Sequence, residues 1–238
     1  MQGFKLKSAA RKLILDNALK HLFVSIAFIV ISTVMSELQF RLPGTSDAFT
    51  RFLERIAAGE IPAPQLLFSN FRPTGAALAV LLLLLLPVLN TGFLSYCLKT
   101  VRGAGSSYKD ILDGFQFFGK VLLIYIITSF FTFLWSMLFI FPGIAAYYRY
   151  RQAYYILLDS PEKGALQCIS ESKRMMAGNK LDLFLLDLSF IGWYILDMAV
   201  VLLIPSPFAL PIVSIWLTPY IGMTRAIYFG QLESRLVV

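Results

Sequence analysis

Five charged residues stand at least five positions from the ends of long apolar runs: Arg149 and Arg151 in 143–158, Asp187 and Asp197 in 181–204, and Arg225 in 211–230. A charge held in hydrocarbon is costly, so it marks either a paired structural ion or a working site. Asp197 stands about seven residues, roughly 10 Å at 1.5 Å per residue, from the end of its run, a depth that Arg149 matches. Two buried pairs are expected: Asp197 with Arg149 or Arg151, and Asp187 with Arg225. Such pairs fix the register of neighbouring helices, or they line a path for a solute or a proton. Register fixing is the plainer reading.

Other chemistry is poorly supplied. His21, the sole histidine, stands at the mouth of the first apolar run and reads as an interfacial residue. With no second histidine, and with Cys97 and Cys168 far apart in sequence, no metal-ligand spacing arises. No G-x-S-x-G elbow offers a nucleophile, and Gly103-Ala104-Gly105 lacks the residues that would make it a phosphate loop. No catalytic residue, metal or cofactor is expected, and the chain is read as a non-enzyme.

The elements that position these residues follow from composition. Of 238 residues, 58% are hydrophobic and 15% charged, and the mean hydropathy is +0.71. A soluble domain carries about 45–50% apolar and 25% charged residues. The expected fold is all-α, a polytopic transmembrane helix bundle read as a single membrane domain over 1–238. It has six spans, 21–40, 74–98, 120–141, 143–158, 181–204 and 211–230, with amphipathic interfacial elbow helices. Residues 1–20 form a basic amphipathic helix and 41–73 an outer loop. If 143–158 crosses, both termini share one side, and 17 of the 21 basic residues lie in or beside the inner side. That bias is the positive-inside pattern, so both termini are assigned to the cytoplasm. The net charge of +7 then points to anionic lipid of the inner leaflet rather than to nucleic acid.

Two inner connections read as surface elbows. In 107–120, Ser107 and Asp110 suggest a capping box, with Tyr108, Ile111, Leu112, Phe115 and Phe118 on one helical face and Lys109, Asp110 and Asp113 opposite. In 160–178, Ser160 is the expected N-cap, Pro161 the first helical residue, and Met175 and Met176 meet the bilayer. An approximate alignment of these segments suggests an internal repeat. Lys109, Lys120, Lys173, Arg174 and Lys180 are the expected lipid-headgroup contacts. On the outer side, 47–59 reads as a short helix capped by Asp47 and stopped by Gly59. Pro87 and Pro219 are expected to kink their helices, and Phe141-Pro142-Gly143 to form a tight turn.

Three blocks carry a family resemblance: Asp113-Gly114-Phe115 with Phe118-Gly119; Phe141-Pro142-Gly143-Ile144 with its tyrosine-rich continuation to Pro161; and Ser172-Lys173-x-Met175-x-x-Gly178-Asn179-Lys180 followed by Phe184 and Leu188–Trp193. Over about residues 75–230 the chain resembles the bacterial integral membrane proteins grouped as domain of unknown function 975. The resemblance implies a six-helix bacterial inner-membrane protein, with a distant likeness to the membrane domain attached to some glycerophosphodiester phosphodiesterases. It implies no catalytic residues. The outer segment 41–73 departs from it in length. Physically, the third block reads as a re-entry joint in which Gly192 permits close helix contact.

The functional expectation is a non-enzymatic membrane component that contacts anionic lipid and assists membrane organisation or assembly. A second copy or another membrane protein is a further partner class. The alternative is a small transporter or permease that uses the buried Asp/Arg pairs and the proline-kinked spans.

Overall fold

The computed structural model describes residues 2–42, 45–68, 71–203 and 212–236, and every regular element among them is helical. Four stretches are long and apolar enough to cross a membrane: α2 (Ala18–Arg41), α4 (Pro73–Val101), α6 (Phe118–Leu138) and the composite stretch Lys180–Val200. Among the described residues there are four such stretches rather than six. The expected span 143–158 is divided into α7 (Ile140–Tyr150) and α8 (Ala153–Asp159), with a turn at Arg151-Gln152. The run from Lys180 is divided into α10 (Lys180–Leu188) and α11 (Ile191–Leu203) by a turn at Ser189-Phe190. Helix α12 (Ile212–Leu236) is long enough, but Ser214, Thr218, Pro219, Thr224 and Arg225 dilute its apolar character. The expected outer connection 205–210 and the adjoining span ends at 204 and 211 lie outside the described residues.

The chain forms two compact units, Ile29–Pro87 and the combination of Met1–Phe28 with Val88–Val238. The boundary on α4 falls at Pro87, a residue that cannot donate a backbone hydrogen bond but lies inside an unbroken helix. Pro219 likewise lies inside α12.

In the smaller unit, α3 (Thr45–Ala57) starts two residues before the expected cap, so Asp47 is inside the helix. Gly59 ends it as expected. With φ at +80°, it lets its own N–H donate to the Ile56 carbonyl and that of Glu60 to the Arg55 carbonyl, both at 2.9 Å. Phe49, Leu53 and Ile56 recur at helical spacing and remain exposed. A 3-10 turn, Pro64–Phe68, packs on α3.

In the larger unit, α1 (Gln2–Asp16) packs along α12 and buries Leu6, Ala10 and Ile14, one residue per helical turn. Helices α6 and α7 form a hairpin whose turn is the single extended residue Phe139, with φ −159° and ψ 153°. This corrects the turn expected at Phe141-Pro142-Gly143. Pro142 belongs to the first turn of α7, where its missing N–H costs little. Gly143 lies against α6 so closely that a Cβ would stand 2.1 Å from Ser136 Oγ. Helix α9 (Ala165–Met175) packs against α6, α7, α8 and α12.

Candidate functional site

The two helix breaks converge on one carboxylate. Asp187, two residues before the break after α10, accepts from Arg225 Nε at 3.0 Å on one oxygen. Its other oxygen accepts from an Arg151 guanidinium nitrogen at 2.9 Å and from the Tyr148 hydroxyl at 3.1 Å. Arg151 lies in the turn between α7 and α8, and its guanidinium carbon also stands 5.0 Å from the Tyr147 ring centroid. All three charged side chains are largely buried, with 12% of Asp187, 17% of Arg151 and 24% of Arg225 exposed. Two guanidiniums share one carboxylate, so the node keeps one excess positive charge.

The breaks are held by side chains from other elements. A helix end leaves carbonyls without intrahelical partners. Near the first break, the Ser172 hydroxyl of α9 donates to the Arg149 carbonyl at 2.9 Å. At the second, Lys7 of α1 donates to the Ser189 carbonyl at 3.1 Å, with its ammonium 4.1 Å from the Phe190 ring centroid. Two buried polar atoms nearby in the fold stay unsatisfied: Gln152 Oε1, in the first break, and the Tyr155 hydroxyl of α8. Tyr155 interacts electrostatically with Arg225, Arg151 and Asp187.

Of the two expected pairs, the structure brings Asp187 and Arg225 together. Asp197 does not meet either arginine. Its carboxylate accepts from the Ser214 hydroxyl at 2.6 Å and from the Ser214 N–H at 3.3 Å. The reason is the break after Tyr150, which delivers Arg151 to Asp187. Arg149 contributes its carbonyl rather than its charge. His21, expected at the mouth of the first span, is buried, and its Nδ1 stands 2.6 Å from the Tyr96 hydroxyl. Among the described residues no cluster of possible metal ligands occurs.

The first elbow is a 3-10 turn (Tyr108–Leu112) followed by α5 (Asp113–Gln116), not one helix. The capping box forms, with the Ser107 N–H donating to the Asp110 carboxylate at 2.6 Å. Its acidic residues turn inward, contrary to expectation. Asp110 and Asp113 accept from Lys99 at 2.8 and 2.7 Å, and Ser95 also donates to Asp113 at 2.6 Å. Close backbone contact explains this. A Cβ on Gly92 would stand 1.7 Å from the Ile111 carbonyl oxygen, and one on Gly114 would stand 2.0 Å from that of Val88. The elbow is thus docked on α4 while Tyr108, Leu112, Phe115 and Phe118 stay exposed.

The second elbow differs in build. Ser160 and Pro161 belong to a turn, and α9 begins at Ala165 after Gly164, whose extended backbone makes it the N-cap. Burial of Ala165, Cys168, Ile169, Ser172 and Met175 wedges it into the bundle, and Met176 is also buried rather than set against lipid. Burial raises the Cys168 thiol above its ordinary pKa. The turn at Gly178-Asn179 forms as the third sequence block implies. Gly178 has φ +80°, the Asn179 amide donates to the Met175 carbonyl at 3.0 Å, and the Tyr228 hydroxyl donates to the Asn179 carbonyl at 3.0 Å. Phe190 is fully buried, but Gly192 has open space where a Cβ would be, so it serves no close helix contact.

The expected lipid contacts divide. Lys109 and Arg174 are exposed. Lys120 donates to the Pro161 carbonyl, tying the two elbows together, and Lys173 stands 5.6 Å from the Tyr150 ring centroid. Lys180 is half-buried at the start of α10. Sequence reasoning missed Arg102, which bonds Asp159 and, at 2.9 Å, Glu233. It also missed Lys99, Ser172 and Tyr148, whose partners lie in other elements.

A family model described as protein of unknown function (DUF975) matches residues 140–236, a shorter stretch than the resemblance over 75–230. No curated protein and no solved structure matches the chain. The matched stretch contains Tyr148, Arg151, Ser172, Asn179, Asp187 and Arg225, and therefore the whole charge node and the turn at Gly178-Asn179. Over residues 140–236, the chain is similar to the DUF975 family of proteins of unknown function.

Proposed function

We propose that this is a multi-pass bacterial inner-membrane protein with both termini cytoplasmic. In this reading it is a non-enzymatic component that contacts anionic lipid of the inner leaflet and assists membrane organisation. The observation that carries the reading is the docked first elbow. Tyr108 and Leu112 are 70% and 59% exposed beside exposed Lys109, while the acidic residues of the same segment are turned inward on Lys99. Apolar side chains rimmed by an exposed cation suit the boundary between headgroups and acyl chains. Exposed Phe130, Phe133 and Met137 on α6 support a lipid-facing exterior, because a water-facing surface rarely holds such a patch.

The test uses the full chain with a spin label on Leu112→Cys in phosphatidylglycerol vesicles. Cys97 and Cys168 are buried and leave the new thiol as the reactive one. The label is expected at interfacial depth, shielded from a water-soluble relaxation agent, with Lys109→Glu/Arg174→Glu raising its exposure. A label fully open to water in the unmutated background overturns the reading. A transport reading draws support from the broken segments meeting at Asp187, since discontinuous helices often border binding cavities in transporters. It requires water at that node.

A further inference from the structure

A groove of about 460 Å³ runs along the α6–α7 hairpin, lined by Thr132, Ser136, Ile144, Tyr147, Tyr148 and Phe184. That volume falls within the range of about 300–1,000 Å³ usual for ligand sites. Its walls are largely aliphatic and aromatic. The groove borders the charge node: Tyr148 lines the groove and donates to Asp187, and Tyr147 lines it with the Arg151 guanidinium against its ring.

The node is not saturated. Arg225 uses Nε, and Arg151 one terminal nitrogen, on the same carboxylate, and the other N–H groups of both guanidiniums have no partner among the described residues. One positive charge stays uncompensated. The buried Tyr155 hydroxyl, which has no hydrogen-bond partner, lies within the field of both arginines. A buried cation and an unsatisfied donor favour an oxyanion there, because a charge-assisted hydrogen bond repays part of the desolvation of both groups. An anionic headgroup at the node and an acyl chain along the groove satisfy both surfaces.

We propose that the α6–α7 groove and the Arg151–Asp187–Arg225 node form a binding site for one anionic glycerophospholipid, its phosphate on the two arginines and an acyl chain along Ile144 and Phe184. The site rests on the membrane reading above but is separate from the elbow. If the Leu112 label stays immersed while the groove retains no lipid, this proposal alone fails.

The experiment is native mass spectrometry of the full chain, purified in mild detergent and incubated with palmitoyl-oleoyl phosphatidylglycerol or with the matching phosphatidylcholine. One phosphatidylglycerol per chain is expected to be retained, at about tenfold preference over phosphatidylcholine, equivalent to about 1.4 kcal/mol. Ile144→Trp fills the groove without touching the node and is expected to lower retention about tenfold, with the melting temperature in lipid-free detergent unchanged. Arg151→Gln leaves Arg225 on Asp187 and is expected to bring phosphatidylglycerol down to the phosphatidylcholine level. Equal retention of the two lipids by the unmutated chain overturns the proposal, whatever the variants do. Phosphatidylglycerol retention undiminished in both variants overturns it as well.

Discussion

At the scale of single residues, Asp187 is the pivot. Its two oxygens receive Arg225, Arg151 and Tyr148, so one side chain connects α7, α10 and α12 through the turn between α7 and α8. Removing it leaves two buried guanidiniums without their counter-ion, whereas removing the charges together does not. Asp187→Ala is expected to cost about 3–5 kcal/mol, read as a leftward shift in a denaturing-detergent titration. Asp187→Asn combined with Arg151→Met and Arg225→Met is expected to recover most of that loss. A single variant that unfolds at the unmutated midpoint would deny the node its structural role. The expected Asp187–Arg225 pair was accessible to depth matching alone. The Asp197–Arg149 pair was not, because depth counting assumes a continuous helix and Tyr150 ends one.

At the scale of elements, the two elbows show how a similar sequence plan yields different builds. The first is held by backbone contact at Gly92 and Gly114, and the second by an apolar face wedged between helices. Charged links then tie the elbows and the end of α12 together. Lys163 donates to Glu171 at 2.7 Å within the second elbow. Arg102 joins Asp159 and Glu233, where burial, followed by the neighbouring Asp159, pushes the Glu233 carboxyl above its ordinary range. The hydrogen bond to Glu171 raises Lys163 above the ordinary lysine value of 10.5. A cation whose folded pKa is raised adds stability that is whole below the unfolded pKa and lost as pH rises through the folded one. Thermal stability in detergent is therefore expected to carry a Lys163 contribution of under about 1 kcal/mol that is constant at neutral pH and disappears in the strongly alkaline range. Comparing Lys163→Met with the unmutated chain across that range measures it: the difference should shrink as pH rises, and a difference that grows would reverse the sign.

At the scale of the whole molecule, the distribution of basic residues and the four long apolar stretches bear on topology. The proposed arrangement needs the divided segment α7–α8 to cross as one unit, because otherwise Lys163, Lys173, Arg174 and Lys180 lie on the outer side. A cytoplasm-active reporter fused after Val238 is expected to be active, and a protease site placed beside Glu60 to be cut from outside. The opposite pair of results would move the basic elbows to the wrong side of the membrane for anionic inner-leaflet lipid.

Composition and hydrophobic runs determined the helical class, the long apolar helices, the stop at Gly59 and the turn at Gly178-Asn179, because these depend on local propensity and on properties that sum along a segment. Asp187 with Arg225 was also within reach of the sequence, since two charges in apolar runs have few partners available. Only the tertiary structure decided that Arg151 shares that carboxylate, that Asp197 turns to Ser214 and that Asp110 and Asp113 face inward to Lys99. It also decided that His21 is buried against Tyr96. Each of these depends on where a helix stops and which neighbour supplies a hydrogen bond to the groups left open. That choice is made by contacts distant in sequence, such as Ser172 with the Arg149 carbonyl and Lys7 with that of Ser189.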